Sequence, residues 1–584
     1  MKRNDLVIRI AGEAGEGVLS TGQLITQAAA RAGFGVLTDS VPPAEIKGGH
    51  SFFQIRLGSH RLYSRGDNLD ILLAFNQEAF EKNIGELRDD GLLLYDSAEF
   101  SPPSESTSRY RQYPLPLTDI AKKQLQFELG KNVVAVGAVA ALSSLPTEYL
   151  TRLITERFGR KGEEILDKNL RALEAGRAYV EANVQERDVL GRPPGNKSND
   201  RLVLSGNQAL AFGALVAGCR RYAGYPITPA TDIMEFLATE LPKVGGAVIQ
   251  AEDEIAAIGM VLGASFAGVK AMTATSGPGI SLMTEMLGLA AMAELPCVVV
   301  DCQRAGPSTG MPTRHEQADL NLAVYGGHGE VQRIVLAPVS VADCFWQIIN
   351  AFNLSERYQM PTILLSDTVL AVRTESIPTP DLSKVRIEQR QTYRGDGAGF
   401  PPAQSGYLRY QDTDDGVSPI AVPGTEGGQY VATGLEHNEA GRPRYDAVTH
   451  ADMTRKRFRK LASAVGDAPE EHRYGDPGAD IGIITWGSTW GAVVEAVDAL
   501  ASEGVGVDAI AARMIWPVPD QQLRPFIESK RVILVPETNY SSQYAALLAS
   551  RYQRDFQRVN VFTGEPFRVS EIVQAVEGVH QHAR

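Results

Sequence analysis

The chain has four cysteines, Cys219, Cys297, Cys302 and Cys344, and no two of them form a Cys-x-x-Cys pair. That spacing argues against a disulfide framework and against a four-cysteine iron–sulfur site, so a cluster, if the chemistry needs one, has to come from another chain. Nine histidines are scattered without His-x-x-x-His spacing, which argues against a transition-metal centre. Apolar runs are short, and none reaches the roughly 18–20 residues that a membrane-spanning helix requires. The N-terminal stretch Leu6–Ile10 is interrupted by Arg9 and is too short for a signal-peptide core. Positive charge is in deficit as well: 57 Lys and Arg stand against 70 Asp and Glu, a formal net charge of −13. That balance disfavours neutralising phosphates along a nucleic acid. A cytoplasmic chain with no nucleic-acid or membrane partner is expected.

What is present is an ordinary globular balance, 43% hydrophobic and 22% charged over 584 residues. At roughly 100–200 residues per domain, this length predicts three or four domains. Residues 1–188 alternate strands with helices. Leu6–Ile10 reads as a strand, the turn Gly12-Glu-Ala-Gly15-Glu-Gly17 follows, and Leu19–Ala32 has helical apolar spacing. Ser51–Leu57, Ile71–Phe75, Gly91–Tyr95 and Val133–Val136 read as further strands, so a mainly parallel sheet is expected. Residues 189–203, with Gly191-Arg-Pro-Pro-Gly at their centre, read as a linker. A second α/β domain spans 204–377. Residues 378–475 are rich in Pro, Gly, Asp, Gln and Arg, too long for an ordinary loop, and read either as disordered or, preferably, as an extended arm laid over another subunit. Residues 476–584 open with the strand Ile481–Trp486 and form a third βα-alternating unit.

Four motifs in the central domain carry chemistry. Gly224-Tyr225-Pro226-Ile227-Thr228-Pro-Ala-Thr231 lies between a strand and a helix, where the Thr228 hydroxyl and nearby amides can face a carboxylate. Gln250-Ala-Glu252-Asp253-Glu254 puts three acids at a strand end before a small-residue helix, so one is readily drawn inside, where desolvation raises its pKa. Thr273-Ala-Thr-Ser276-Gly277-Pro-Gly279 is a strand-to-helix turn with free amides. Asp301-Cys-Gln-Arg304 runs into a Gly/Pro-rich loop as far as Arg314 and Asp319, bringing two arginines suited to bidentate carboxylate binding. Taken alone, each pattern also reads as turn punctuation, a solvated helix cap or a surface loop.

In this order the four motifs closely resemble the α subunit of the 2-oxoacid:ferredoxin oxidoreductases. The central domain is similar to that family's pyrimidine-binding domain for thiamine diphosphate. The N-terminal domain, with Gly12–Gly17 and Glu45-Ile-Lys47-Gly-Gly-His50, resembles the family's γ subunit, here fused in front of α. The C-terminal domain, with Gly487-Ser488, Pro517-Val-Pro519 and Glu537-Thr-Asn539, resembles the transketolase C-terminal domain, which is generally structural. The expected fold is therefore three α/β domains: a γ-type Rossmann-like domain, a thiamine-diphosphate pyrimidine-binding domain and a transketolase C-terminal-like domain. The Gly-x-x-Gly-x-Gly spacing departs from the dinucleotide fingerprint and reads as a fold signature, against a nucleotide-dependent dehydrogenase. Lys47-Gly-Gly stands where many relatives carry Arg-Gly-Gly.

The resemblance implies oxidative decarboxylation of a 2-oxoacid, with coenzyme A taking the acyl group and single electrons passing through an iron–sulfur cluster to ferredoxin. Glu254 matches the acid that bonds N1′ of the aminopyrimidine and is expected to keep a proton near neutral pH. Tyr225, Pro226, Ile227, Thr228, Ser276 and Gly277 match the cofactor-binding positions. Thr228 with Arg304 or Arg314 would hold the substrate carboxylate, and the motifs leave open which arginine does so. A magnesium site would need Gly-Asp-Gly followed downstream by Asn. Gly395-Asp-Gly397 lies in the polar region without the required context, so Mg2+ and a [4Fe-4S] cluster are expected on a β subunit. A fused γα chain resembles the two-subunit enzymes that act on 2-oxoglutarate to give succinyl-CoA, with pyruvate and branched-chain 2-oxoacids as alternatives and (γα)2β2 as the expected assembly. A non-catalytic interaction subunit of the same fold is the other reading, and the presence of Glu254, Thr228 and both arginines argues against it.

Overall fold

The structure, a computed structural model, describes residues 5–41, 49–103, 109–143, 145–184, 201–395 and 406–582. The linker Gly191–Asp200, the stretch Glu45–Gly48 and the pair Asp396-Gly397 lie outside the described residues. The chain divides into two compact units. One comprises Met1–Leu204, Val372–Thr379 and Arg568–Ser570, and the other comprises Ser205–Ala371, Pro380–Phe567 and Glu571–Arg584. Among the described residues no helix is long and apolar enough to cross a membrane.

The first unit is built on one eight-stranded sheet. Its strands are β1 (Asp5–Glu13), β2 (Gly35–Val41), β3 (His50–Gly58), β4 (Leu69–Ala74), β5 (Leu87–Asp96), β6 (Arg111–Leu115), β7 (Arg201–Ser205) and, from much later in the chain, β14 (Thr374–Pro378). The order is β6-β5-β4-β1-β3-β2-β14-β7. The run from β1 to β6 is parallel, whereas β3 is antiparallel to both β1 and β2, and β14 is antiparallel to β2. The sheet is thus mixed, where strand–helix alternation predicts a mainly parallel one. Residues 42–49 are fewer than the dozen or so that a parallel crossover needs, so β2 and β3 pair as antiparallel neighbours.

A second departure is Val133–Val136, expected as a strand and found within the helix Lys131–Leu142. That helix is buried along almost its whole length, so its apolar residues show no periodicity that separates helix from strand. The helix Glu163–Asn183 crosses it at backbone contact: a Cβ on Gly137 would lie 2.1 Å from the Leu173 carbonyl oxygen, and one on Gly176 would lie 1.9 Å from that of Val134. At the N-terminal glycine motif, Gly15 and Gly17 adopt φ of +97° and +82°, a region costly for any side chain. The motif thus serves the turn into the helix Val18–Arg31.

The second unit contains two sheets. The central one has β8 (Arg221–Gly224), β9 (Ala247–Gln250), β10 (Ala271–Thr275), β11 (Cys297–Gln303), β12 (Ile334–Leu336) and β13 (Pro361–Asp367), with β18 (Met514–Trp516) on its edge. Its order is β18-β12-β13-β11-β10-β8-β9, parallel throughout except for β18. The other sheet has β15 (His472–Gly475), β16 (Ile481–Trp486), β17 (Asp508–Ala512), β19 (Val532–Glu537) and β20 (Gln557–Asn560), in the order β15-β17-β16-β19-β20. Only β15 is antiparallel in it. One apolar cluster runs through both sheets, joining Val299, Ile363 and Leu365 to Trp486, Ile510 and Val535.

Within the polar stretch 378–475, residues 447–464 form the helix Ala447–Ala464, and Pro380 onward belongs to the second unit. Five cations of this stretch, Arg390, Arg409, Lys456, Arg457 and Lys460, are buried. Lys456 Nζ lies 2.8 Å from both carboxylate oxygens of Glu294, and Lys460 Nζ lies 2.8 Å from Oε2, with all three side chains buried. Arg409 donates to the Glu294 carbonyl at 2.7 Å. Arg390 pairs with the buried Glu356. Burial pushes the Lys460 ammonium down to about 7, against the pull of Glu294, whereas the cations around Glu294 overcome burial and hold its carboxyl well below the usual range. Removing one partner of such a cluster leaves charge uncompensated indoors, which costs about 3–5 kcal/mol. Glu294→Ala is therefore expected to lower stability by about that much. Lys460→Met, which keeps the Lys456–Glu294 pair, should cost far less. Denaturant midpoints of the two variants compare these losses directly.

Candidate active site

In a parallel α/β sheet the loops leaving the carboxyl ends of the strands face one edge, and a crevice opens where successive connections diverge to opposite sides. In the central sheet that point lies between β8 and β10, because β9 lies on one side of β8 while β10 and β11 lie on the other. Each of the four motifs leaves a strand end along this edge. Tyr225–Thr228 follow β8, Glu254 follows β9, Ser276 and Gly277 follow β10, and Arg304 follows β11.

Local sequence explains how each group is presented. Asp253 caps the helix Glu254–Phe266, its side chain accepting from the Ala256 amide at 2.7 Å. With Asp253 occupied by the cap, Glu254 turns inward at 6% exposure while Glu252 stays exposed. Gly279, in the first turn of the helix Gly277–Met292, makes room for it: a Cβ there would stand 2.8 Å from Glu254 Cγ and 2.0 Å from Thr275 Oγ1. Gly277 has the same role toward Asp319, whose Oδ2 would lie 2.6 Å from a Cβ. Ser276 is fully buried at the start of that helix and, among the described residues, its hydroxyl has no hydrogen-bond partner.

Two predicted substrate groups meet directly. Arg304 Nη1 donates to the Thr228 carbonyl oxygen at 2.7 Å, and the arginine is buried at 8% exposure. Burial lowers the Arg304 guanidinium pKa and the nearby Asp319 opposes that shift. The Thr228 side chain remains exposed, as does Tyr225, while Pro226 and Ile227 are half-buried. Arg314 is placed differently: it forms an ion pair with Glu565 and is only half-buried. Of the two arginines, Arg304 is the one brought to Thr228.

Two further acids in the fourth motif, Asp301 and Asp319, were given no role from sequence. Asp301 is fully buried and Asp319 is half-buried. Burial, followed by the charge of Asp319, raises the Asp301 carboxyl well above its usual range. Burial and Glu316 push Asp319 up to about 6 against the pull of Arg304. Their only signal in the sequence was membership of the motif itself, since a strand-end Asp is ordinarily a helix cap or a loop residue.

A buried carboxyl facing a glycine-lined helix start, with a buried hydroxyl and an arginine at neighbouring strand ends, suits a cofactor with a hydrogen-bonding ring beside an anionic substrate. Comparison with known proteins agrees with that chemistry. Residues 212–456 match the family model described as pyruvate flavodoxin/ferredoxin oxidoreductase, thiamine diphosphate-binding, a span that takes in most of the polar stretch. Residues 7–179 match the pyruvate ferredoxin/flavodoxin oxidoreductase model, and residues 479–575 match core domain II of pyruvate:ferredoxin oxidoreductase. The 2-oxoglutarate oxidoreductase subunit KorA of Mycobacterium tuberculosis is 35% identical over 605 residues, covering 97% of this chain and 90% of that protein. Subunit alpha of 2-oxoacid:ferredoxin oxidoreductase 2 from Aeropyrum pernix is 31% identical over 637 residues, covering 98% of each. Among solved structures, the 2-oxoglutarate:ferredoxin oxidoreductase from Magnetococcus marinus, with 2-oxoglutarate, coenzyme A and succinyl-CoA bound, superposes with a TM-score of 0.93 at 42% identity over 99% of both chains. The chain therefore belongs to the 2-oxoacid:ferredoxin oxidoreductases, as an α-type subunit of that enzyme family.

Proposed function

We propose that the chain takes part in the oxidative decarboxylation of 2-oxoglutarate to succinyl-CoA, with its own site residues at the crevice between β8 and β10. The observation that carries this reading is the convergence of Glu254, Ser276, Thr228 and Arg304 on one sheet edge, with Arg304 bonded to Thr228. The choice of 2-oxoglutarate rests on the names of the M. tuberculosis relative and of the M. marinus structure. Pyruvate and branched-chain 2-oxoacids are the competing substrates.

When bound, thiamine diphosphate supplies a nucleophilic carbon and an electron sink for the decarboxylation. Glu254 would hydrogen-bond the ring nitrogen of the aminopyrimidine, and its burial would keep that hydrogen bond out of competition with water. Tyr225, Pro226 and Ile227 present backbone and ring surface at the crevice mouth, and Ser276 and Gly277 offer a hydroxyl and an amide at a helix start. Arg304, already held by the Thr228 carbonyl, orients the substrate carboxylate together with the Thr228 hydroxyl. In this reading residues 1–188 act as the γ-type domain, 189–203 as the linker, 204–377 as the pyrimidine-binding domain, 378–475 as a polar extended arm and 476–584 as the transketolase C-terminal-like domain. Mg2+ and the [4Fe-4S] cluster reside on a β subunit in a (γα)2β2 assembly that passes electrons to ferredoxin. Four dispersed, buried thiols support placing the cluster on a partner, and they suit a reducing cytoplasm.

Three measurements on the complex co-expressed with its β subunit test this reading. Assay with coenzyme A and ferredoxin should give the highest kcat/KM with 2-oxoglutarate, and a clear preference for pyruvate would displace it as substrate. Glu254→Gln should lower turnover by at least about a hundredfold with folding and cluster content intact. Glu252→Gln should stay near wild type, and the reverse result would move the activating role to Glu252. Arg304→Ala should reduce kcat/KM for the 2-oxoacid by about 2–4 kcal/mol in barrier terms. Arg314→Ala should lose much less, because its guanidinium is engaged by Glu565.

A further inference from the structure

The C-terminal sheet has a switch point of its own, between β16 and β19, since β17 lies on one side of β16 while β19 and β20 lie on the other. By the rule that places ligands in such a crevice, the loops after β16 and β19 should border a binding site. They border a side chain of this same protein instead. Gln317 is fully buried there, and its amide is bonded by groups from several elements. Its Nε2 donates to the Trp486 carbonyl at 3.3 Å and to Asp367 Oδ2 at 3.2 Å. Its Oε1 accepts from Thr489 Oγ1 at 3.2 Å and from the Thr538 amide at 3.3 Å. The backbone is held too: Gln317 N donates to the Thr538 carbonyl at 2.8 Å, and Asn539 Nδ2 donates to the Gln317 carbonyl at 3.0 Å. A Cβ on Gly487 would lie 2.3 Å from Gln317 Nε2, so the glycine is required for the fit.

Gln317 belongs to the limb that descends from the Arg304–Arg314 loop. The loop is closed by the Ala305 amide donating to the Arg314 carbonyl at 3.0 Å and by the Met311 amide donating to the Ala305 carbonyl at 2.9 Å. At its base, the Asp319 amide donates to Gln303 Oε1 at 3.1 Å, and Thr368 Oγ1 donates to the Gln303 carbonyl at 2.8 Å. Beside Gln317, His315 Nε2 lies 2.9 Å from Thr538 Oγ1. Glu537 meanwhile accepts from the Tyr544 and Ala545 amides at 2.8 and 3.0 Å, fixing the helix that follows. The motifs Gly487-Ser488 and Glu537-Thr538-Asn539 thus converge on one limb of the loop that carries Arg304.

We infer that Gln317 is a positioning residue, the chain's own occupant of the C-terminal sheet's crevice, and that it sets the place of Arg304 against the substrate carboxylate. The inference rests on the role given to Arg304 above. Its physical basis is that buried hydrogen bonds to several elements leave the limb one low-energy register, and a displacement of about 1 Å at a binding group can cost on the order of a hundredfold in rate.

Steady-state kinetics of the assembled enzyme test it, using Gln317→Leu, Arg304→Ala and the double variant. Gln317→Leu should lower kcat/KM for the 2-oxoacid by about tenfold to a hundredfold, mainly through KM, with KM for coenzyme A unchanged. In the Arg304→Ala background the same substitution should add little, because its effect acts through the arginine. Gln317→Leu with wild-type kcat/KM but a lowered melting temperature overturns the proposal, since it marks a purely structural tie. Full additivity in the double variant overturns it as well. An Arg304→Ala enzyme with unchanged kinetics removes the Arg304 assignment instead, which is a different outcome from a silent Gln317→Leu beside a crippled Arg304→Ala. Should Gln317→Leu not fold, Thr489→Val, which removes one bond to Gln317 Oε1, should shift KM in the same direction by a few-fold. No shift in that variant overturns the proposal.

Discussion

The arrangement of this protein follows from the reversal of strand order in the central parallel sheet. Parallel strands send every connection over a helix, so all loops at the carboxyl edge face the same way, and only where connections diverge does a crevice open. Because β8 and β10 are neighbours at that point, residues far apart in the chain, from Tyr225 to Arg304, meet along one edge. The local devices are modest. A capping Asp253 frees Glu254 to turn inward, and glycines at 277 and 279 let acids approach a helix start.

A second constraint concerns charge. The stretch after residue 378 has the composition of a solvated or disordered segment, yet Lys456, Lys460 and Arg409 converge on Glu294, and Arg390 on Glu356. Buried ion pairs of this kind rarely stabilise more than apolar packing would, but they tolerate few alternative partners. They therefore specify where an otherwise weakly patterned chain lies. Helix Ala447–Ala464 shows how this escapes sequence reading: its Met453, Lys456, Arg457 and Lys460 are buried, so charged residues occupy the face that apolar residues would ordinarily mark.

The C-terminal sheet repeats the topology of a ligand-binding layer while holding a limb of the same chain at its switch point. Trp486 and Thr489, which flank its Gly487-Ser488 turn, and the strand-end residues Thr538 and Asn539 bond Gln317, so conventional ligand-loop geometry here serves internal attachment.

Sequence by itself determined the α/β class, most of the central and C-terminal strands, and the small set of strand-end residues from which the candidate site is drawn. Those features are local: apolar runs bounded by turns, an acid before a small-residue helix, glycines at helix starts. Glu254 was set apart from Glu252 by its match to the family's pattern, and the structure buries Glu254 while leaving Glu252 exposed. Tertiary structure decided what depends on pairing across distance. Arg304 and Arg314 sit in equivalent sequence surroundings, and only their contacts, with Thr228 in one case and Glu565 in the other, tell them apart. Val133–Val136 could not declare itself helical because burial on all sides erases periodicity, and β3 could not declare its direction because strand polarity is a property of neighbours. Asp301, Asp319 and Gln317 were visible as letters and silent as functions, since burial, which gives them their chemistry, is conferred by segments tens to hundreds of residues away.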